Sequence, residues 1–228
     1  MDPNLAAPGP SSGGGTERSD VRRRRRVRAY VGLGSNLGDR ERALVGGIAA
    51  LGALPGAEIV AVSDLYATAP VGVTDQPEFR NAVVGLDVAP GPDPVTGAVA
   101  LLVALKRIER AFGRRRRRRW GPRELDLDLL LFGAARLSVE RPPEGVSAAV
   151  ASDLGRRPDE RVLIVPHPEV AERLFVLAPL ADVAPALVPP GWTVDVATAK
   201  AERERVEGED AVRHVGRWDA EAREWRPV

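Results

Sequence analysis

Residues 125–132 read Leu-Asp-Leu-Asp-Leu-Leu-Leu-Phe, and no other segment limits the possible folds as tightly. Side chains along a β-strand alternate between its faces, so Asp126 and Asp128 share one face with their backbones roughly 7 Å apart. The strand then runs on through apolar residues, which predicts a central position in a sheet. Two carboxylates held together in such a place are costly unless a cation or an arginine offsets them. Hard carboxylate oxygens suit magnesium, which keeps part of its water and takes one or two protein carboxylates plus phosphate oxygens. Phosphate chemistry is the implication, although an exposed strand face with alternating acids would carry the same tripeptide.

The hydrophobic pattern around this strand alternates between the two regular periods. Residues 29–33 read as a short buried strand, 34–38 as a turn, and 39–51 as an amphipathic helix opened by a capping residue. Residues 58–66 and 82–88 read as two antiparallel strands, joined by a long connection that carries Pro70, Gly72, Asp75 and Pro77. Residues 94–112 place Val95, Val99, Leu102, Val103 and Ile108 at near-helical intervals, and Gly113 ends that helix. With the strand at 125–132 the order is β-α-β-β-α-β, so the fold class is α+β, a ferredoxin-like plait with added C-terminal elements. Its sheet should be mostly antiparallel, with helices packed on it.

The flanks are simpler. Residues 1–20 are rich in Pro, Gly, Ser and Asp and cannot repay the entropy of ordering, and an arginine-rich stretch follows. Residues 1–28 are therefore expected to be a disordered tail and 29–228 a single domain, interrupted by a polar loop insertion at about 141–161. The charged helix-like stretch and the apolar run 212–218 near the end offer no motif.

Composition excludes several classes. The chain has no cysteine, so neither a disulfide framework nor a cysteine-ligated zinc site can staple it. No stretch approaches the roughly 18 consecutive apolar residues of a membrane span, and no secretory signal is visible. The expected setting is cytoplasmic, without a membrane partner. A net charge of +1 argues against a globally basic nucleic-acid binder, although every cation except Lys106 and Lys200 is arginine.

The arginines matter where they adjoin the acidic strand. Gly113, an unbroken arginine run at 114–119 and then Trp120-Gly121-Pro122-Arg123 lead directly into Asp126 and Asp128. Planar guanidinium groups bind phosphate oxygens bidentately and stabilise the charge that develops in phosphoryl transfer. The chain has no Gly-x-x-x-x-Gly-Lys-Ser/Thr loop and no protein-kinase motif set, so a nucleotide site here is of another kind. The spaced glycines Gly32, Gly34 and Gly38 do not fit a dinucleotide fingerprint, and repeated βαβ units are lacking.

Arg-Trp-Gly-Pro-Arg at 119–123 followed by Leu-Asp-Leu-Asp resembles the signature of the hydroxymethyldihydropterin pyrophosphokinases of folate synthesis. Three further segments agree in order: 30–39 with Gly-Leu-Gly-Ser-Asn-Leu-Gly-Asp, 66–81, and 165–175 with Val-Pro-His-Pro-Glu-Val-Ala-Glu-Arg-Leu-Phe. The resemblance implies transfer of pyrophosphate from ATP to 6-hydroxymethyl-7,8-dihydropterin, by attack of the hydroxymethyl oxygen on the β-phosphorus with release of AMP. It implies magnesium, two ions, held by Asp126 and Asp128, with Arg114 and Arg123 assisting the transfer. Thr68, Val71, Phe79, Asn81, Trp120 and Phe175 would line the pterin pocket. Lys106, Glu109, Arg116, His167 and Arg173 would bind ATP, and Asn36 and Gly34 would support the pterin loop. The partners would be these two small molecules, with no nucleic acid, and the chain a monomer.

A rival reading is an RNA-binding module, which the plait order and arginine runs would suit. Such a plait displays clustered aromatics on its inner strands, whereas this chain is 4% aromatic and puts acids where phosphates would lie. A relic serving only as an interaction module would not need the acids and arginines that are present.

Overall fold

Along strand β1 (Val27–Ser35), Ala29, Val31 and Leu33 are buried on one face, while Tyr30, Gly32 and Gly34 make up the other. That alternation sets the layering of the whole molecule, a computed structural model describing residues 26–70, 75–113, 123–145 and 161–228. Helix α1 (Arg40–Gly52) begins where Asp39 accepts the Arg42 N–H at 3.1 Å. First-turn amides have no partner within a helix, and such a cap contributes about 1 kcal/mol. Strands β2 (Glu58–Val62) and β3 (Leu65–Thr68) form one extended segment broken at Ser63. Both pair antiparallel with β4 (Phe79–Val88), and Ser63 bridges the break: its hydroxyl accepts from the Val83 N–H at 2.8 Å. Helix α2 (Pro94–Ala111) is capped by Asp93, has Pro94 in its first turn, and is followed by Gly113 in the left-handed region at φ 87°. Strand β5 (Asp126–Phe132) completes the βαββαβ order.

The remaining elements build on this plait. Strands β6 (Leu137–Glu140) and β7 (Val162–Val165) form a separate antiparallel pair, with Glu140 opposite Val162. The Arg141 N–H donates to the Arg161 carbonyl at 2.7 Å, which extends this pairing by one residue on each side. Helices α3 (Leu174–Val183) and α4 (Val196–Glu207) follow, then strands β8 (Val212–Asp219) and β9 (Glu224–Pro227). The main sheet runs β5, β1, β4, β3, β8, β9, with β2 also paired to β4, and every pairing is antiparallel.

Two apolar layers result. The face of Ala29, Val31 and Leu33 packs with Leu44, Ile48 and Leu51 of α1 and Leu101, Leu102 and Leu105 of α2. The face of Tyr30, Val83 and Leu130 packs with Leu177 and Leu180 of α3 and Val196 and Ala199 of α4. Each fully buried leucine contributes roughly 2 kcal/mol. A register shift between Tyr30 and Val31 lets Leu130 and Leu131 both join the second layer while Phe132 joins the first.

Four expectations are corrected. Strand β5 is not central: among the described residues it is the outermost strand beside β1, and the outward backbone groups of Leu127 are covered by side chains from α2. The first strand starts at Val27, within the stretch expected to be tail, because Val27 pairs with Val88 and Arg28 with Asp87. It also runs on to Ser35, into the expected turn. The 58–66 segment is two strands, since Ser63 turns its polar groups onto Val83. The expected tail over residues 1–25 and the insertion over 146–160 lie outside the described residues. Among the described residues no helix is long and apolar enough to cross a membrane.

Candidate active site

The face of the sheet that α3 and α4 cover is closed by Tyr30, Val83 and Leu130, but further along it β1 contributes only Gly32 and Gly34. A cavity of about 420 Å³ opens there. The antiparallel register sets Asp128 opposite Gly32 and Asp126 opposite Gly34, so both carboxylates face space that a side chain on β1 would fill. A Cβ on Gly34 would lie 3.5 Å from Asn81 Oδ1 and 3.9 Å from Asp126 Cβ.

Nine of the residues singled out in the sequence line this one cavity: Thr68, Phe79, Asn81, Arg123, Asp126, Asp128, His167, Arg173 and Phe175. They come from β3, β4, β5 and the turn and helix after β7. Asn81 is buried, and its amide donates to Thr68 Oγ1 at 2.9 Å, which turns its carbonyl oxygen to act as an acceptor. Phe79 and Phe175 supply apolar faces. Arg123 pairs with Asp126 through Nη1. Arg173 Nε donates to Glu169 Oε2 at 2.6 Å.

His167 is held by its own backbone, whose N–H donates to the Leu130 carbonyl at 2.8 Å. Its Nδ1 accepts from the Glu169 N–H at 3.3 Å. In the neutral ring this leaves the proton on Nε2, available as a donor. Burial pushes the imidazole pKa down, with the Asp128 charge opposing that shift. The folded chain therefore binds this proton less readily than the unfolded one. The resulting stability is present above the ordinary value of 6.5 and is lost as pH falls through it towards the folded pKa. A melting-temperature series is expected to decline less steeply below pH 6.5 in His167→Gln than in the parent chain.

Asn36 organises the rim. Fully buried, it accepts the Arg123 N–H at 2.7 Å on Oδ1, and its own N–H donates to the Arg123 carbonyl at 3.0 Å. Its amide nitrogen donates to Gln76 Oε1 at 3.0 Å and to the Pro77 carbonyl at 3.3 Å. The support expected from Asn36 thus takes the form of a bridge between the start of the acidic strand and the segment leading to Phe79. The cavity lining also includes Gln76, Glu169, Leu130 and Val176, which were not singled out. Glu169 lies within the quoted 165–175 segment, so a signal was available. Gln76 likewise lies within the quoted 66–81 segment.

Lys106 and Glu109 are elsewhere. Both are buried behind β5, on its outer edge, and neither lines the cavity. Val71, Arg114, Arg116 and Trp120 lie outside the described residues. Among the described residues no group of three or more His, Cys, Asp or Glu side chains is gathered to hold a metal. The pair Asp126 and Asp128 still suits magnesium, because that ion needs only one or two carboxylates when phosphate oxygens and water complete its shell.

Comparison with known proteins identifies relatives of this chain. The family model described as 7,8-dihydro-6-hydroxymethylpterin-pyrophosphokinase (HPPK) matches residues 30–185. A 2-amino-4-hydroxy-6-hydroxymethyldihydropteridine pyrophosphokinase of Methylorubrum extorquens is 42% identical over 181 residues, spanning 79% of this chain and 98% of its own. The protein of the same name from Bacillus subtilis is 39% identical over 155 residues, spanning 68% of this chain and 77% of its own. Among solved structures, an HPPK-DHPS in complex with substrates superposes with a TM-score of 0.63 at 14% identity, covering 90% of this chain and 48% of that one. The Plasmodium falciparum HPPK-DHPS wild type with pteroate gives 0.61, again over 90% of this chain and 48% of that one. This chain thus spans about half the length of those two, and at that identity the likeness speaks for the fold alone. Its sequence matches carry the assignment, and the chain belongs to the 7,8-dihydro-6-hydroxymethylpterin-pyrophosphokinase family.

Proposed function

We propose that the cavity beside Gly32 and Gly34 is where this chain transfers pyrophosphate from ATP to 6-hydroxymethyl-7,8-dihydropterin, yielding the pterin diphosphate and AMP for folate biosynthesis. The activity is that of an ATP-dependent diphosphotransferase. The observation that carries the site assignment is the convergence, on one cavity, of a pterin-suited end and a phosphate-suited end.

At the first end, Phe79 and Phe175 offer apolar faces to a flat ring, and the buried Asn81 carbonyl offers an acceptor to its edge. A site that pairs such edge groups rejects ligands lacking them. At the second end, Arg123, Arg173 and the Nε2–H of His167 are cationic or neutral donors for phosphate oxygens. Arg123 reaches the cavity from a backbone pinned on both sides by Asn36, so its direction is set before substrate arrives. Asp126 and Asp128 would hold magnesium, two ions, which when bound supply neutralisation of polyphosphate charge and a lowered pKa for a coordinated hydroxyl. The hydroxymethyl oxygen forms its bond to the β-phosphorus as the bond from that phosphorus to the α,β-bridging oxygen breaks; AMP leaves with that oxygen, and the hydroxyl proton is released to solvent.

The two ends are separable kinetically. Phe175→Ala should raise the KM for pterin about tenfold with the KM for ATP little changed, and Arg173→Ala should do the reverse. Steady-state rates with each substrate varied in turn check this. If both substitutions raise both constants alike, the division of the cavity is wrong.

A further inference from the structure

An outermost strand presents a row of backbone N–H and C=O groups with no strand beyond to pair them. On β5 the outward groups of Leu127 are met by side chains instead. The Leu127 N–H donates to Glu109 Oε1 at 2.8 Å, and the Leu127 carbonyl accepts from Lys106 Nζ at 2.6 Å. Both partners lie on α2, one helical turn apart, and Lys106 Nζ joins them by donating to Glu109 Oε1 at 2.7 Å. The side chains are 2% and 1% exposed, so this ion pair is fully withdrawn from water. Its grip falls on the one residue that separates Asp126 from Asp128.

The same ammonium group lies 3.3 Å from Asp128 Oδ1. Its three hydrogens are thus divided among Glu109, the Leu127 carbonyl and Asp128, and the bond to Asp128 is the longest of the three. We propose that Lys106 and Glu109 are positioning residues: together they fix the backbone between the two aspartates, and Glu109 neutralises the Lys106 charge and draws it aside, so that its bond to Asp128 stays long. This replaces the expectation that they contact the nucleotide, and it rests on the reading that Asp126 and Asp128 hold a divalent cation. Without the Glu109 charge, the ammonium closes on Asp128 and its bond there shortens. A metal would then meet a more tightly held carboxylate and an uncompensated positive charge, and both effects oppose its binding.

Glu109→Gln isolates the charge, because the glutamine oxygen can still accept the Leu127 N–H. The double variant Lys106→Met/Glu109→Gln removes the competing ammonium as well, and replacing a whole buried pair costs less stability than leaving one charge behind. Mn²⁺ binding to the full chain, with a non-hydrolysable ATP analogue present, is measured from the spin-resonance signal of free Mn²⁺. The parent chain binds Mn²⁺, Glu109→Gln binds it about tenfold more weakly, and the double variant recovers most of the difference. The affinity for the analogue without metal is the same in all three. If Glu109→Gln binds Mn²⁺ as the parent does, or the double variant is as weak as the single, the proposal is overturned. A loss of metal-free analogue affinity in the single variant that the double does not restore also overturns it, in favour of direct nucleotide contact. A parent chain that holds no Mn²⁺ overturns the metal reading itself, a failure recognisable before any variant is made.

Discussion

Replacing Asp128 by alanine is expected to lower the rate of AMP formation by about a thousandfold, the loss typical of removing one preorganised electrostatic group from a transfer site. The fold should survive it. The Asp128 side chain is 46% exposed and lies opposite Gly32, so its removal leaves no cavity in the core. Lys106 retains Glu109 and the Leu127 carbonyl as partners. Loss of one of two neighbouring carboxylates also relieves repulsion with Asp126. The stability change should therefore stay within about 1 kcal/mol, as surface substitutions usually do. Circular dichroism melts beside initial rates separate the two effects, and an Asp128→Ala chain that melts normally but keeps more than a tenth of its rate would refute the role given to this aspartate.

Asn36→Ala should act on both stability and catalysis. The substitution removes the acceptor of the Arg123 N–H and the donor to Gln76 and Pro77, stranding groups at the rim of the cavity. A buried polar group that loses its partner costs about 1–3 kcal/mol. The catalytic loss follows from position, since Asn36 ties the approach to Asp126 to the approach to Phe79. A shift of about 1 Å in such a constellation can cost about a hundredfold. The signature is a lowered melting temperature with raised KM values for both substrates. An unchanged KM for pterin would show that Phe79 and Asn81 are held without this bridge.

The sequence was informative where the physics is local. The alternation of Asp126 and Asp128 with leucines depends only on the period of a strand, and the structure sets both carboxylates in one cavity as that period requires. Asp39 and the start of α1 were readable because a cap acts within one turn. The gathering of Thr68, Asn81, His167 and Phe175 was readable only through family resemblance, since no local rule joins residues so far apart in sequence. Where long-range contacts decide, local signals failed. The apolar run into Phe132 suggested a central strand, but among the described residues the strand stands outermost, and Lys106 and Glu109 meet the Leu127 groups that a neighbouring strand would otherwise pair. The family resemblance assigns the same two residues to ATP, and nothing near them in sequence announces Leu127. Likewise, the pairing of β8 with β3, with Tyr66 opposite His214, depends on a contact across most of the chain. Trp225 closes that corner by donating from its indole to the Ser63 carbonyl at 2.9 Å.

The central claim is that this chain passes pyrophosphate from ATP to a pterin alcohol through the cavity at Asp126 and Asp128. It is tested most directly by following AMP release from ATP with magnesium, with and without 6-hydroxymethyl-7,8-dihydropterin, in the parent chain and in Asp128→Ala. The account predicts AMP only when pterin and magnesium are both present, in amounts equal to the pterin diphosphate formed, with collapse in the variant. Release of ADP instead, AMP formation independent of pterin, or a parent chain inert with both substrates would contradict it.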